Sequence, residues 1–405
     1  MSRIDDLIAE YCPNGVEFTA LGEIGEFIRG NGLQKTELFD EGVPAIHYGQ
    51  IHTHYGIWTE RTKSFTSPEK AAKLRRAHPG DLIIATTSED DEAVAKATAW
   101  LGDEEVAVSG DAYIFRHSLD PRFVAYFFHS ERFQEQKRPF ITGTKVRRVS
   151  GGSLAKVRIP VPPLEVQREI VRILDQFTQL EAELEAELEA RRQQYAHYRC
   201  ELLCSGEVES ARWVPLGEIA ELRYGLTARG QDSGDYRFLR ITDISPWGTL
   251  LPDGAKYVAA SSSSNEYLVQ AGDLLMARTG ATYGKTLLVR SEEPATYASY
   301  LIRIRLDPSR MSPDFYWHFS QSGHYWEQVN AMVSTGGQPQ FNANVLKLVK
   351  VPTPDLVKQE RIVAILDEFD ALANDLSVGL PAELAARRKQ YEYYRDKLLT
   401  FKEAK

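Results

Sequence analysis

The chain has 405 residues, 43% of them hydrophobic and 26% charged, with a formal net charge of −9. That length holds two or three domains, and the composition excludes a disordered or fibrous chain. No apolar run approaches the roughly 20 residues that span a bilayer. The acidic opening Met1-Ser2-Arg3-Ile4-Asp5-Asp6 lacks the apolar core of a signal peptide, so a cytoplasmic location is expected.

Taken in chain order, the first 158 residues form a mixed segment. Asp81-Leu82-Ile83-Ile84-Ala85 reads as a buried strand, and 123–136 reads as a helix. A Gly- and Thr-containing loop follows at 137–148, and Pro162-Pro163 ends the next strand. From Ile170 a seam of Leu174, Phe177, Leu184, Leu188, Arg191, Tyr195, Tyr198 and Leu202 steps mostly by four and three, the pattern that packs one helix along another. Ser205-Gly206 stops this helix. A second mixed segment carries a strand at Tyr300-Leu301-Ile302-Arg303-Ile304 and a helix over 313–332. A second seam then runs through Ile362, Leu366, Phe369, Leu376, Leu380, Leu384, Tyr391, Tyr394 and Leu398, with a kink expected near Gly379 and Pro381. Tyr195, Tyr198, Tyr391 and Tyr394 lie on these seams, so packing between helices is their expected role.

The second half repeats the first. Leu21-Gly22-Glu23-Ile24 returns as Leu216-Gly217-Glu218-Ile219, and Gly80-Asp81-Leu82-Ile83 as Gly272-Asp273-Leu274-Leu275. Gln167, Ile170, Val171, Ile173-Leu174-Asp175 and Phe177 return 192 residues later, ending at Phe369. Arg191-Arg192-Gln193-Gln194-Tyr195 returns as Arg387-Arg388-Lys389-Gln390-Tyr391, four residues further on. Leu7 and Ile8 match Leu202 and Leu203, so the repeat is circular in plan. The expected domains are 1–158 and 207–350, each followed by a helical spacer at 159–206 and 351–405. Leu180 to Ala190 is a tetrapeptide tandem midway along the first spacer. Forty helical residues reach about 60 Å, and one tetrapeptide adds about 6 Å and about 40°.

Net acidity argues against a nucleic-acid partner, which needs Lys and Arg for its phosphates. The acidity is unevenly spread. Within 132–158, Arg132, Lys137, Arg138, Lys145, Arg147, Arg148, Lys156 and Arg158 meet only Glu135.

The run Ile159-Pro-Val-Pro-Pro-Leu-Glu-Val-Gln-Arg-Glu-Ile-Val-Arg-Ile-Leu-Asp175, its second copy ending at Asp367, and Thr335-Gly-Gly-Gln-Pro-Gln-Phe-Asn342 resemble the specificity subunit of type I restriction-modification systems. The resemblance covers essentially the whole chain. It implies an α+β fold of two pseudo-two-fold related mixed α/β target recognition domains, separated by two long antiparallel helices that form a coiled coil. It implies a non-catalytic reader of a bipartite double-stranded DNA target that docks two methyltransferase subunits, with restriction subunits in some complexes. S-adenosylmethionine, ATP and Mg would then sit on those partners, with no cofactor or metal in this chain. Consistently, there is no Asn-Pro-Pro-Tyr tetrad for a flipped adenine and no phosphate-loop Gly-Lys-Ser/Thr motif. A coiled-coil scaffold with protein-binding heads is the alternative, and it leaves the diverged, partly basic loops unexplained.

Base reading uses Arg, Lys, Asn and Gln side chains aimed at groove edges. In the first segment the candidates are Lys137, Arg138, Thr144, Lys145, Arg147 and Arg148. The counterpart loop Val329 to Asn342 contributes Gln338, Gln340 and Asn342, and the turn after the matched Gly-Asp-Leu strand contributes Arg278, Thr279, Tyr283 and Lys285. Thr86 to Asp90 is the first-half equivalent of that turn. Arg223, Tyr224 and Arg229 form a weaker patch, and His47, His52 and His54 a polar loop rather than a metal site.

Overall fold

In the computed structural model the described residues are 3–204, 208, 211–251, 253–333, 341–374 and 379–404. They pack as two compact units, residues 1–183 with 385–405, and residues 184–384. The units cut across the expected spacers. Each takes one mixed segment together with part of both helical regions.

In the first unit a five-stranded sheet runs Gly25–Arg29, Ala112–His117, Leu82–Ala85, Ala97–Trp100, Trp58–Thr59. A second sheet contains Ser64–Thr66, Val43–Ile46, Val106–Val108 and Arg76–Ala77. Leu82–Ala85 is buried on both faces, which explains its uninterrupted apolar run. In the second unit the corresponding sheet runs Ala220–Tyr224, Leu301–Leu306, Leu274–Ala277, Thr286–Leu288. Beside it lies a smaller sheet of Tyr257–Val258, Tyr236–Leu239 and Ala295–Tyr297. Each mixed segment is closed by its own ends: Phe18–Ala20 pairs with Arg158–Pro160, and Arg212–Pro215 with Lys350–Thr353.

The two helical stretches expected at 123–136 and 313–332 are each two helices. Pro121–Phe128 is followed by Glu131–Lys137, and Pro313–Ser320 by Gly323–Met332. The break has one cause in both. Ser130 Oγ accepts from Phe133 N and Ser322 Oγ from Tyr325 N, so each serine caps a new helix.

Leu164–Cys204 is a single 41-residue helix. The second helical region is described as Leu356–Asn374 and Gly379–Leu398. Gly379, at the expected kink, has φ +78, a conformation that glycine adopts without Cβ strain. Ser205-Gly206 and the seam residue Leu376 lie outside the described residues.

The seam tyrosines pack between helices as expected. Phe177 stacks on Tyr394 at 5.5 Å and meets Tyr391 at 6.4 Å, and Arg388 Nε bonds Glu181 at 2.6 Å. As one number rises the other falls, so these helices are antiparallel. In the second unit Tyr195 and Tyr198 stack on Phe369 at 6.2 and 5.3 Å. Among the described residues, no helix is long and apolar enough to cross a membrane.

The repeated polar residues fasten each mixed segment to its helix. Gln167 Nε2 donates to Pro162 O at 2.7 Å while its Oε1 accepts from Asp120 N. Gln359 does the same with Pro354 O and Ser312 N, and both amides are buried. Asp175 accepts from Tyr126 OH and Arg122 Nη1, both at 2.7 Å. Its counterpart Asp367 bonds His318 Nε2 at 2.7 Å, and Tyr195 OH meets the other ring nitrogen of His318 at 3.1 Å. The buried members, the two amides with Tyr126 and His318, need these partners because a polar group buried without one costs about 1–3 kcal/mol.

Two imidazoles, His117 and His129, each with a pKa pushed by burial down to about 4, add to an acid limit on the first unit. His129 Nε2 lies 3.0 Å from Ala97 O. Burial pushes its pKa down to about 4, with Lys96, Arg395 and Lys137 adding to the shift. A folded value below the unfolded one means the unfolded chain binds the extra proton. The stability this supplies is complete above about pH 6.5 and is lost as pH falls toward 4. The second unit has Gln321 there, bonding Thr286 O. His129→Gln is therefore expected to flatten the first unit's loss of melting temperature between pH 6.5 and 4; an unchanged slope would assign that loss elsewhere.

Candidate nucleic-acid interface

Sequence-distant candidates in the first unit meet on one face. Strand Thr87–Ser88 pairs with Arg147–Arg148, which brings the turn after Leu82–Ala85 beside the basic loop. His52, on helix Tyr48–Thr53, reaches Thr87 O through Nε2 at 2.9 Å and ties a third segment to the same strand. Gly143 adopts φ +93 at the loop's bend, where a Cβ would lie 2.1 Å from Val146 O. Beyond it Thr144, Lys145 and Arg148 are exposed, as is Arg138 before it. Arg147 is half-buried, with its guanidinium on Asp91 at 2.7 Å and on Gly143 O.

Lys137 departs from its expected role. It is 2% exposed, and its ammonium donates to Glu92 O and Val94 O, both at 2.6 Å. Burial pushes its pKa down to about 8, against the pull of Asp90, Glu92 and Asp91. Its counterpart Val329 is a fully buried core residue. Lys137 thus occupies an inward-facing position and braces the acidic turn, leaving no free ammonium for a phosphate.

The second unit assembles its face the same way. Phe341 N donates to Arg278 O at 2.8 Å, as Val149 N does to Thr86 O at 3.2 Å, so the late loop again lies on the turn after the central strand. Arg278 is half-buried beside two phenol rings, its guanidinium carbon 5.2 Å from the Tyr224 centroid and 5.8 Å from that of Tyr300, and its Nε donates to Ser299 O at 2.9 Å. Tyr283 donates to Asn330 Oδ1 at 2.9 Å, and Lys285 is half-buried. Thr279 is buried and faces inward. Asn342 is exposed, but its carboxamide oxygen caps helix Ala343–Leu346 by accepting from Asn344 N and Val345 N. Ser150 caps the equivalent helix Gly151–Leu154, so Asn342 has a local structural duty. Gln338 and Gln340 lie outside the described residues.

Of the weaker patch, Tyr224 reaches this face, its hydroxyl accepting from Ala343 N at 3.0 Å, and Arg229 is exposed. Arg223 turns to Glu266, at 2.9 Å, and to the Tyr267 ring. His47 serves as a helix cap, its Nδ1 accepting from Gly49 N. Four residues on these faces went unnoticed in the sequence: Arg29, Asp111, Tyr113 and Tyr300. Arg29 pairs across strands with Tyr113 and reaches Asp111 at 3.8 Å. They lie more than eighty residues apart in the chain, so no linear run exposes them. Arg29, Asp111 and Tyr113, with Thr87 and Arg148, line a polar concavity of the first unit, in which the buried Thr87 hydroxyl has no partner among the described residues.

This architecture has relatives. The family described as the type I restriction modification DNA specificity domain matches residues 13–190 and again 211–386. The chain is 35% identical over 267 residues to the EcoR124I/EcoR124II type I restriction enzyme specificity subunit of Escherichia coli, covering 62% of this chain and 65% of that one. With the EcoprrI specificity subunit of the same organism it shares 31% over 316 residues, 73% of this chain and 72% of the relative. The crystal structure of a type I restriction-modification S subunit from M. genitalium superposes with a TM-score of 0.52 at 15% identity, over 95% of this chain and 96% of the other. With one family match in each half, joined by the helical regions just described, the chain belongs to the type I restriction-modification DNA specificity family.

Proposed function

We propose that this chain is the non-catalytic reader of a type I restriction-modification complex, each mixed segment reading one half of a bipartite duplex target. One observation carries this reading. Two copies of a single backbone frame present unlike side chains at matched loops, as two readers of different half-sites require. A scaffold with protein-binding heads gives no reason for that divergence.

The chemistry belongs to other subunits. We assign S-adenosylmethionine to two methyltransferase subunits, and ATP and Mg to translocating restriction subunits where these are present. Leu356, Val357, Ile365 and Leu372 on the second helical region remain exposed, and an exposed apolar stripe suits a methyltransferase helix.

Binding of duplex by the chain with its methyltransferase, followed against salt, tests the reading. Each phosphate contact adds about 0.9 to the slope of log K against log salt. Arg148 is exposed, and its hydrogen bonds among the described residues run through its backbone to Thr142. Arg148→Ala is therefore expected to lower the slope by about 0.9. Lys137→Ala should leave the slope alone and cost about 2–4 kcal/mol of first-unit stability, because it strands two buried carbonyls and opens a cavity. Binding that ignores salt would end the DNA-reader account.

A further inference from the structure

Three backbone positions are equivalent in the two units by their hydrogen bonds. In the first, Gly30 N donates to Ala112 O, Thr86 N to Asp111 O and Val149 N to Thr86 O. In the second, Gly225 N donates to Leu301 O, Arg278 N to Tyr300 O and Phe341 N to Arg278 O. Arg29 therefore corresponds to Tyr224, Asp111 to Tyr300 and Thr86 to Arg278. The frame is preserved while every side chain differs.

Four of these six side chains are accessible, while Thr86 is buried and Arg278 half-buried. Arg29 and Asp111 are 62% and 43% exposed at the side chain, and Tyr224 and Tyr300 are 42% and 55% exposed. Residues that only hold a frame together are buried and matched between the units, as Gln167 and Gln359 are. A constant frame with variable, exposed, chemically unlike side chains is what selecting different ligands requires.

We propose that the exposed members of these triplets, with Arg278 in the second unit, are the specificity determinants of the two units, and that Arg29 with Asp111 reads the major-groove edge of a G·C pair. This rests on the DNA-reader function above and adds the residues and the base pair. In the major groove guanine presents two acceptors, N7 and O6, and cytosine one amino donor, N4. Arg29 Nε donates to Gly110 O at 3.0 Å, which leaves its two Nη groups as a donor fork, and Asp111 offers an acceptor 3.8 Å from Nη2. In the same orientation an A·T pair offers Arg29 one acceptor, N7, where guanine offers two, and turns the thymine O4 and methyl toward Asp111, which needs a donor. A lone phosphate would be repelled by Asp111, so a base edge suits the pair better. In the second unit Arg278 lies beside two phenol rings with its Nε on Ser299 O at 2.9 Å, and its two terminal Nη groups, without a carboxylate beside them, select guanine.

The test sequences the methylated sites in cells carrying this chain and its own partner subunits, as the parent, Arg29→Gln, Asp111→Asn and Arg278→Gln. The parent is expected to methylate a bipartite site with a G·C pair in one half. Arg29→Gln and Asp111→Asn should relax that pair, losing roughly 10- to 100-fold of discrimination there, with the other half-site and the gap unchanged. Arg278→Gln should relax a guanine in the other half only. Identical sites in parent and variants overturn the proposal. So does a uniform loss at every site by a variant that melts where the parent does, since Arg29 would then be a backbone contact. A parent that directs no bipartite methylation refutes the reader function itself, a result distinguishable from both.

Discussion

Replacing Arg305 with leucine is expected to cost the second unit about 3 kcal/mol or more of stability. The Asp273 carboxylate is 3% exposed, and Arg305 holds both its oxygens at 2.7 Å through Nε and Nη2, with Gln270 N as a third donor at 2.9 Å. The pairing holds the guanidinium's pKa above its ordinary value. With Arg305 gone, the carboxylate keeps one backbone donor and no counter-charge in a site that water does not reach. Adding Asp273→Asn should restore much of the loss, because the amide still accepts from Gln270 and carries no charge. Urea melts of the four proteins in this cycle check the argument. A double variant no more stable than Arg305→Leu would mean that packing, not the unpaired charge, is what was lost. Asp81 and Arg116 form the same pair in the first unit, at 3.2 Å.

That carboxylate also illustrates what was legible in the chain. Asp81 and Asp273 are the second residues of the Gly-Asp-Leu repeat, so the repeat marked a residue whose burial demands a partner. Gln167, Gln359, Asp175 and Asp367 were likewise visible as matched positions, and each is now a polar tie between a helix and its mixed segment. The long helix and its aromatic seam followed from spacing alone. The faces were harder. Lys137 stood in a run of eight basic residues and read as one of them, although its counterpart Val329 was apolar and already signalled an inward position. Arg29 and Asp111 had no basic neighbours to draw attention to them, because strand pairing brings them together across more than eighty residues. Asn342 was chosen for its base-reading chemistry, while its place directly before Ala343–Leu346 suited a helix cap. Local pattern reveals elements and core; a face assembled from distant strands is legible only once the register is known.

The other large effect should come from the helix that the two units share. Residues up to Glu183 pack with the first unit and residues from Leu184 with the second, and Leu164–Cys204 is continuous through that boundary. Deleting Leu184 to Glu187 removes one tetrapeptide of the tandem. Leu188 then follows Glu183 with the leucine spacing intact, so the apolar seam survives. The helix loses about 6 Å and about 40° of rotation, close to the roughly 34–36° that one base pair contributes to B-DNA. The aromatic stacks of Tyr195 and Tyr198 on Phe369 lie wholly within the second unit, and those of Phe177 wholly within the first, so neither reading face should change. The expected result is a methylated site with both half-sites preserved and a shortened gap between them. Methylation at the parent's sites would show that the helix does not set the gap. An altered half-site would show that the helix and the reading faces are not independent, and the division into two self-contained readers would have to be abandoned.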